Sequence, residues 1–300
     1  MNLSFILNPP TGLTLTEIIV ISFLLGMMHG ATPDEHTWPI TFSYAIGKYS
    51  TKSGMKAGLL FSLGFTAQRA FLTTLGFLGL AAFYQKYNLD GPVYMLVGFV
   101  MAIAGSYVLK GRYLHLPIDS LLGGKTHHSS QSERLPLHES EQREVPLKMT
   151  VVHGLIAGFG FGAYATIITF ILAPQVNSIY FAPLPGVFFG IGTMVMQAIF
   201  GALFANLAKI KKLSEDEIKY IGTTTAGRTL YYGGIAFLLV GLLVALLPTL
   251  DSLAILTGNP IPNLDAINVG FFLVVGTVGG IGITSMVKSF KEIAKIKQRN

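Results

Sequence analysis

No cysteine occurs anywhere in the 300 residues, which removes disulfides, thiolate metal sites and any thiol relay from the chemistry open to this chain. Charge is scarce as well: Asp, Glu, Lys and Arg make up 12% of positions, while apolar residues make up 51%. A soluble globule carries roughly twice that share of charge, so the composition excludes one and directs the chain into a bilayer. No loop of the G-x-x-x-x-G-K type is present, so ATP is not the expected driver. The opening MNLSFILNPPTGL has neither Lys nor Arg and no small-residue cleavage site. It does not read as a secretory signal peptide, and the first apolar run is expected to be kept.

What is abundant is apolar sequence in long runs. A helix needs about 20 such residues to cross a hydrocarbon core of about 30 Å. That rule predicts seven transmembrane segments, near 14–36, 57–83, 92–109, 149–173, 184–208, 228–248 and 266–287. With the N-terminus outside, every basic residue among the 21 except Arg69 and Lys86 falls in a connection or tail on the cytoplasmic side. The expectation is therefore a multi-pass, all-α protein of the cell membrane with a cytoplasmic C-terminus. Its net charge of +6 faces anionic membrane lipid, and no nucleic acid is called for.

The one long polar stretch, 110–148, lacks apolar periodicity and reads as a linker. It separates a first three-helix repeat, 1–109, from a second, 149–248, followed by an extra helix and basic tail, 249–300. MMHGATPD is echoed by VVHGLIAG, LLFSLGFTAQRAF by VFFGIGTMVMQAIF, and YMLVGFVMAIAG by YYGGIAFLLVG. Because three is odd, the second repeat enters the membrane from the opposite side. This predicts a 3+3 inverted repeat, whose substrate site is expected near the midplane.

The stretch HGATPDEH, 29–36, places two imidazoles and two carboxylates at the end of the first apolar run. A single helix over 14–47 would be about 51 Å long at ~1.5 Å per residue, far more than the membrane requires. Pro33 and Gly30 predict a break within 30–35. Gly158, Gly160 and Gly162 predict a second break, after His153. The first and fourth segments are thus expected to be discontinuous. His29, Asp34 and His36 offer two nitrogens and a carboxylate, a set suited to Ni, Co, Zn or Fe rather than to Ca or Mg. His153 is a further candidate ligand, and Glu35 a fourth ligand or proton acceptor. The alternative is that Asp34 merely N-caps the next helix. Ionisable groups inside membrane segments are costly and point to function. No resident cofactor is expected beyond the transported ion.

These residues resemble the nickel/cobalt transporter group (NicO, NiCoT), with its urease-accessory and efflux relatives, within the wider lysine-exporter-type superfamily. The family's hallmark is His, four residues, Asp, His. Here it reads His29, GATP, Asp34, Glu35, His36, with one residue inserted before the second histidine. A second family motif is similar to AGFGFGAYATI, with Gly where the family has Asp and without its Glu. The resemblance implies transport of a divalent metal cation without catalysis.

Arg69 lies inside the second segment, where a permanent cation needs an anionic partner or water. Asp34 or Glu35 would serve. A substrate oxyanion would serve too, which makes a sulfite-like exporter the closest rival function. Gln197 holds the equivalent place in the second half and is expected to support the path. A more distant rival is an intramembrane zinc hydrolase, which needs three protein ligands.

Overall fold

A computed structural model describes residues 2–35, 37–48, 50–79, 86, 90–109, 147–160, 162–207, 213–250 and 252–299. The predicted ligand His36 and all but the last two residues of the linker lie outside these. The described residues form α1 (Leu3–Leu7), α2 (Leu15–Ala31), α3 (Trp38–Ile46), α4 (Thr51–Phe77), α5 (Asp90–Val108) and α6 (Leu147–Ala157). They continue as α7 (Ala163–Gln175), α8 (Leu184–Asn206), α9 (Glu215–Leu246) and α10 (Val269–Gln298). Leu147 and Lys148, the last two residues of the expected linker, belong to α6. A short antiparallel ribbon is also present: β1 (Ala254–Leu256) lies in the predicted connection, and β2 (Ala266–Asn268) takes the first three residues of the predicted seventh segment, 266–287, whose helix starts at Val269.

Among the described residues four helices are long and apolar enough to cross a membrane: Asp90–Val108, Ile179–Asn206, Glu215–Leu246 and Val269–Gln298. Helices α2, α6 and α7 are apolar but shorter, because glycine or proline interrupts the runs they come from. Helix α4 spans 27 residues but carries Lys52, Lys56 and Arg69. The starts of α2 and α9 are fixed by capping boxes, Thr14 with Glu17 and Ser214 with Glu217. Each box satisfies amide donors that the first turn would leave open, an effect of about 1 kcal/mol.

The main packing pairs are α4 with α8, α5 with α9, α2 with α8 and α4 with α6. Lipid offers little hydrophobic drive between helices, so close approach at small residues supplies the packing. These approaches recur. Gly26 lies flush against the Phe189 carbonyl and Gly154 against that of Phe61. Gly58 meets Gln197 as Gly186 meets Arg69, and Gly192 meets Phe23 as Gly64 meets Val151. One constant shift in residue number, applied forward to one partner and backward to the other, converts each contact into its twin. In α5 and α9 a second constant shift does the same: Gly98 faces Gly234, and Gly105 meets Tyr231 as Gly241 meets Met95.

The shift fixes a register that the sequence echoes had placed only in part. Arg69 and Gln197 are counterparts, as the LLFSLGFTAQRAF echo predicts. The His-Gly pairs are not. Gly154 corresponds to Gly26 rather than Gly30, so the counterpart of His29 is Ala157 and that of His153 is Leu25.

Candidate functional site

Helix α2 stops at Ala31 because Pro33 holds Thr32 in extended backbone, φ −84° and ψ 147°. A helix end leaves carbonyls without amide partners, and here side chains take them. The Thr32 hydroxyl reaches the carbonyls of Met28 (3.0 Å) and His29 (3.3 Å). Gln197 Nε2 donates to the Gly30 carbonyl at 3.2 Å, and its Oε1 accepts from the Thr41 hydroxyl on α3. Gln197 therefore staples the two ends of the break. Helix α3 resumes on backbone alone: the amides of Thr37 and Trp38 donate to the Asp34 carbonyl. Its N-cap is Thr37, with no side-chain capping bond. The Asp34 carboxylate is not an N-cap.

That carboxylate faces inward. Asp34 and His29 are both 5% exposed, and Asp34 Oδ2 lies 3.7 Å from His29 Nδ1. This is longer than a hydrogen bond. Two ligands bonded to one transition-metal ion at about 2.0–2.2 Å stand roughly 3–3.4 Å apart, so a small inward movement would let both reach the same ion. The His29 ring stacks on Phe65 and Phe189, with centroids at 5.4 and 5.2 Å, and meets Tyr164 edge-on at 5.7 Å. Aromatic walls of this kind fix the ring's plane, and Asp34 is reached from the ring's edge.

Glu35 turns the other way, into a polar cavity of about 190 Å³ lined also by Asp90, Tyr94, Asn263, Asp265 and Asn268. Tyr94 donates to Glu35 Oε1 at 3.2 Å. Asp34 and Glu35 thus take different roles: one belongs to the break's interior and the other to its vestibule.

The second break falls between α6 and α7, where Gly158, Gly160 and Gly162 were predicted to loosen the chain. Arg69 is 2% exposed, and its guanidinium donates to the Gly160 carbonyl at 2.7 Å. It also lies over the rings of Phe65 (4.7 Å) and Phe189 (5.8 Å), the same two rings that hold His29. One of its partners is thus a backbone carbonyl at the opposite break, beside the expected pairing with Asp34 or Glu35. Gly158 leaves room for the Gln68 side chain, and a Cβ there would collide with it.

His153 is not brought to His29 and Asp34. Fully buried on α6, it places Nδ1 2.9 Å from the Tyr44 hydroxyl and 3.0 Å from the Met149 carbonyl. Among the described residues no three His, Asp or Glu side chains stand close enough to share an ion. Among the described residues His153 thus stands apart from the His29–Asp34 pair, one helical turn out of register with His29 under the shift that relates α2 to α6.

Comparison with family models, with curated proteins and with solved structures returns no match. The site has to be read from its own chemistry.

Two groups of residues at the break were invisible in sequence. Phe65, Phe189 and Tyr164 read as ordinary apolar positions of three different segments. Asn263 arrives from the ribbon, 231 positions away from Thr32, and donates to Thr32 Oγ1 at 3.2 Å and towards Asp34 Oδ2 at 3.5 Å. The only local signal was the turn-forming GNPIPN.

Proposed function

We propose that this chain is a secondary transporter of a divalent transition-metal cation of the nickel/cobalt kind, working by alternating access across the cell membrane. The observation that carries the reading is the buried His29–Asp34 pair on an interrupted helix. Irregular backbone is tolerated at membrane depth only against protein or a water-filled cavity, and a discontinuous helix is a recurring binding element of transporters. Metal binds His29 and Asp34 together with His36, and Glu35 supplies negative charge on the approach. Because the ligand set mixes imidazole with carboxylate, it favours borderline transition metals over Ca or Mg.

The same reading takes the chain as seven membrane segments in two inverted three-helix repeats plus α10, N-terminus outside and C-terminus cytoplasmic. The twinned glycine contacts support the repeats, since one shift relates α2 and α4 to α6 and α8. Arg69 and Gln197 act as matched staples of the two breaks, on Gly160 and Gly30 respectively. This role gives the buried guanidinium a backbone partner within the protein. A zinc hydrolase has less support, since among the described residues His153, its best third ligand, is not grouped with His29 and Asp34. The resemblance to the NicO group agrees with the transporter reading.

The test is direct. Nickel and cobalt content of the purified protein is measured beside accumulation of each metal in cells with and without expression. Stoichiometric metal lost in His29→Gln, with a change in cellular accumulation, is the expected result. Unchanged metal content in that variant would remove His29 from the site.

A further inference from the structure

Asn263 has the only positive φ among the described non-glycine residues, 67°. Asparagine tolerates this left-handed backbone better than most residues do. Its turn is braced from within: the Thr257 amide donates to Asp265, Ile261 to the Asn259 side chain and Leu264 to the Ile261 carbonyl. The ribbon tip is thus a preformed unit whose conformation does not depend on what it touches.

What it touches is the break. Pro262 accepts a hydrogen bond from Tyr164 (3.2 Å), whose ring lies against His29. Asn263 Nδ2 bridges Thr32 Oγ1 and Asp34 Oδ2. These contacts are at the long end of the hydrogen-bond range, while β1 on the far side of the ribbon is exposed, Ile255 by 69% and Leu256 by 80%. The tip's side-chain hydrogen bonds run to Tyr164, Thr32 and Asp34, all residues of the site. The polar vestibule opens beside it, with Asn263 and Asp265 in its wall.

We infer that Asn263 is a latch: its amide holds the Asp34 carboxylate and pins the ribbon over the break, and a cation bound at Asp34 displaces it. The inference rests on the metal reading above and adds a positioning residue to it. Its chemistry is competition for one oxygen. The amide N–H carries partial positive charge and addresses Oδ2, the same atom that faces His29. A divalent ion at that oxygen draws on its electron density and repels the partial positive charge of the amide N–H, so metal binding and the latch work against one another. The tip then loses its hydrogen bonds to Asp34 and Thr32 and keeps the one from Tyr164 to Pro262, while the base of the ribbon stays joined to α10 through Asn268. Metal binding and loosening of the ribbon tip are thereby coupled.

The experiment compares wild type with Asn263→Gly, which keeps the left-handed backbone and removes only the side chain. Asn263→Asp, which sets a carboxylate against Asp34, is the second variant. Hydrogen exchange of the 252–268 segment and calorimetric nickel affinity are measured on each in lipid nanodiscs. The latch requires faster exchange of that segment in both variants without metal, at least fivefold. Nickel must produce the same acceleration in wild type and none further in the variants. Nickel affinity must rise in Asn263→Gly, by roughly three- to tenfold, since a competitor is gone; a merely structural residue would lower it. Unchanged exchange in metal-free variants, or weaker nickel binding in Asn263→Gly, overturns the latch even where nickel binds. If wild type binds no nickel, the metal reading falls, and metal-free exchange still decides whether Asn263 pins the ribbon.

Discussion

Arg69 and Gln197 stand at matching points of α4 and α8, and each donates a hydrogen bond to a carbonyl exposed by a broken helix. Arg69 reaches Gly160, and Gln197 reaches Gly30. A break in a membrane helix releases carbonyls that lipid cannot satisfy. A long side chain from a neighbouring helix does so without closing the gap. One structural task is met twice, once with a cation and once with an amide.

Removing either donor leaves a buried carbonyl unsatisfied. Gln197→Leu and Arg69→Met should each lower stability by about 1–3 kcal/mol, read by thermal unfolding of the detergent-solubilised protein. Nickel affinity in Arg69→Met should stay within about threefold, less than 1 kcal/mol. A large loss of affinity confined to low pH would instead show that Arg69 pairs with a site carboxylate.

His29 has a packing role as well as a chemical one, because two phenyl rings close on its imidazole. His29→Ala should therefore cost about 2–4 kcal/mol of stability through the cavity it leaves, in addition to abolishing metal binding. His29→Phe should restore much of the stability and none of the metal. Equal unfolding midpoints for the two variants would show that the ring is not a packing element.

The Tyr44–His153 pair joins α3 to α6 in a fully buried setting. Tyr44→Phe should destabilise by about 1 kcal/mol and His153→Ala by about 2–4 kcal/mol. Both variants should keep the wild-type ratio of bound nickel to protein. Loss of bound nickel in a folded His153→Ala protein would place this residue in the ligand set.

Gly26→Ala and Gly154→Ala drive a methyl group into equivalent carbonyls, those of Phe189 and Phe61. Each should destabilise by about 1–3 kcal/mol or more, and by similar amounts, since the contacts are twins. A severe effect at one position and none at the other would break the equivalence on which the two-repeat reading rests.

The sequence by itself determined the apolar, helical character of the chain, because composition and run length depend on no contact. It also located both helix breaks. Pro33 forces extended backbone at Thr32 whatever surrounds it, and glycines at 158, 160 and 162 weaken helix locally. It singled out His29 and Asp34, since ionisable groups beside an apolar run are visible without a structure. Tertiary structure decided the rest. Arg69 reaches a backbone carbonyl at the opposite break, which no side-chain pattern encodes. The register between the halves was set by glycines meeting backbone, and the eye-catching His-Gly echo proved one turn out of step. Asn263 came to Asp34 from the far end of the chain. Local rules record where a helix must stop; only packing records which distant groups satisfy the atoms that stopping exposes.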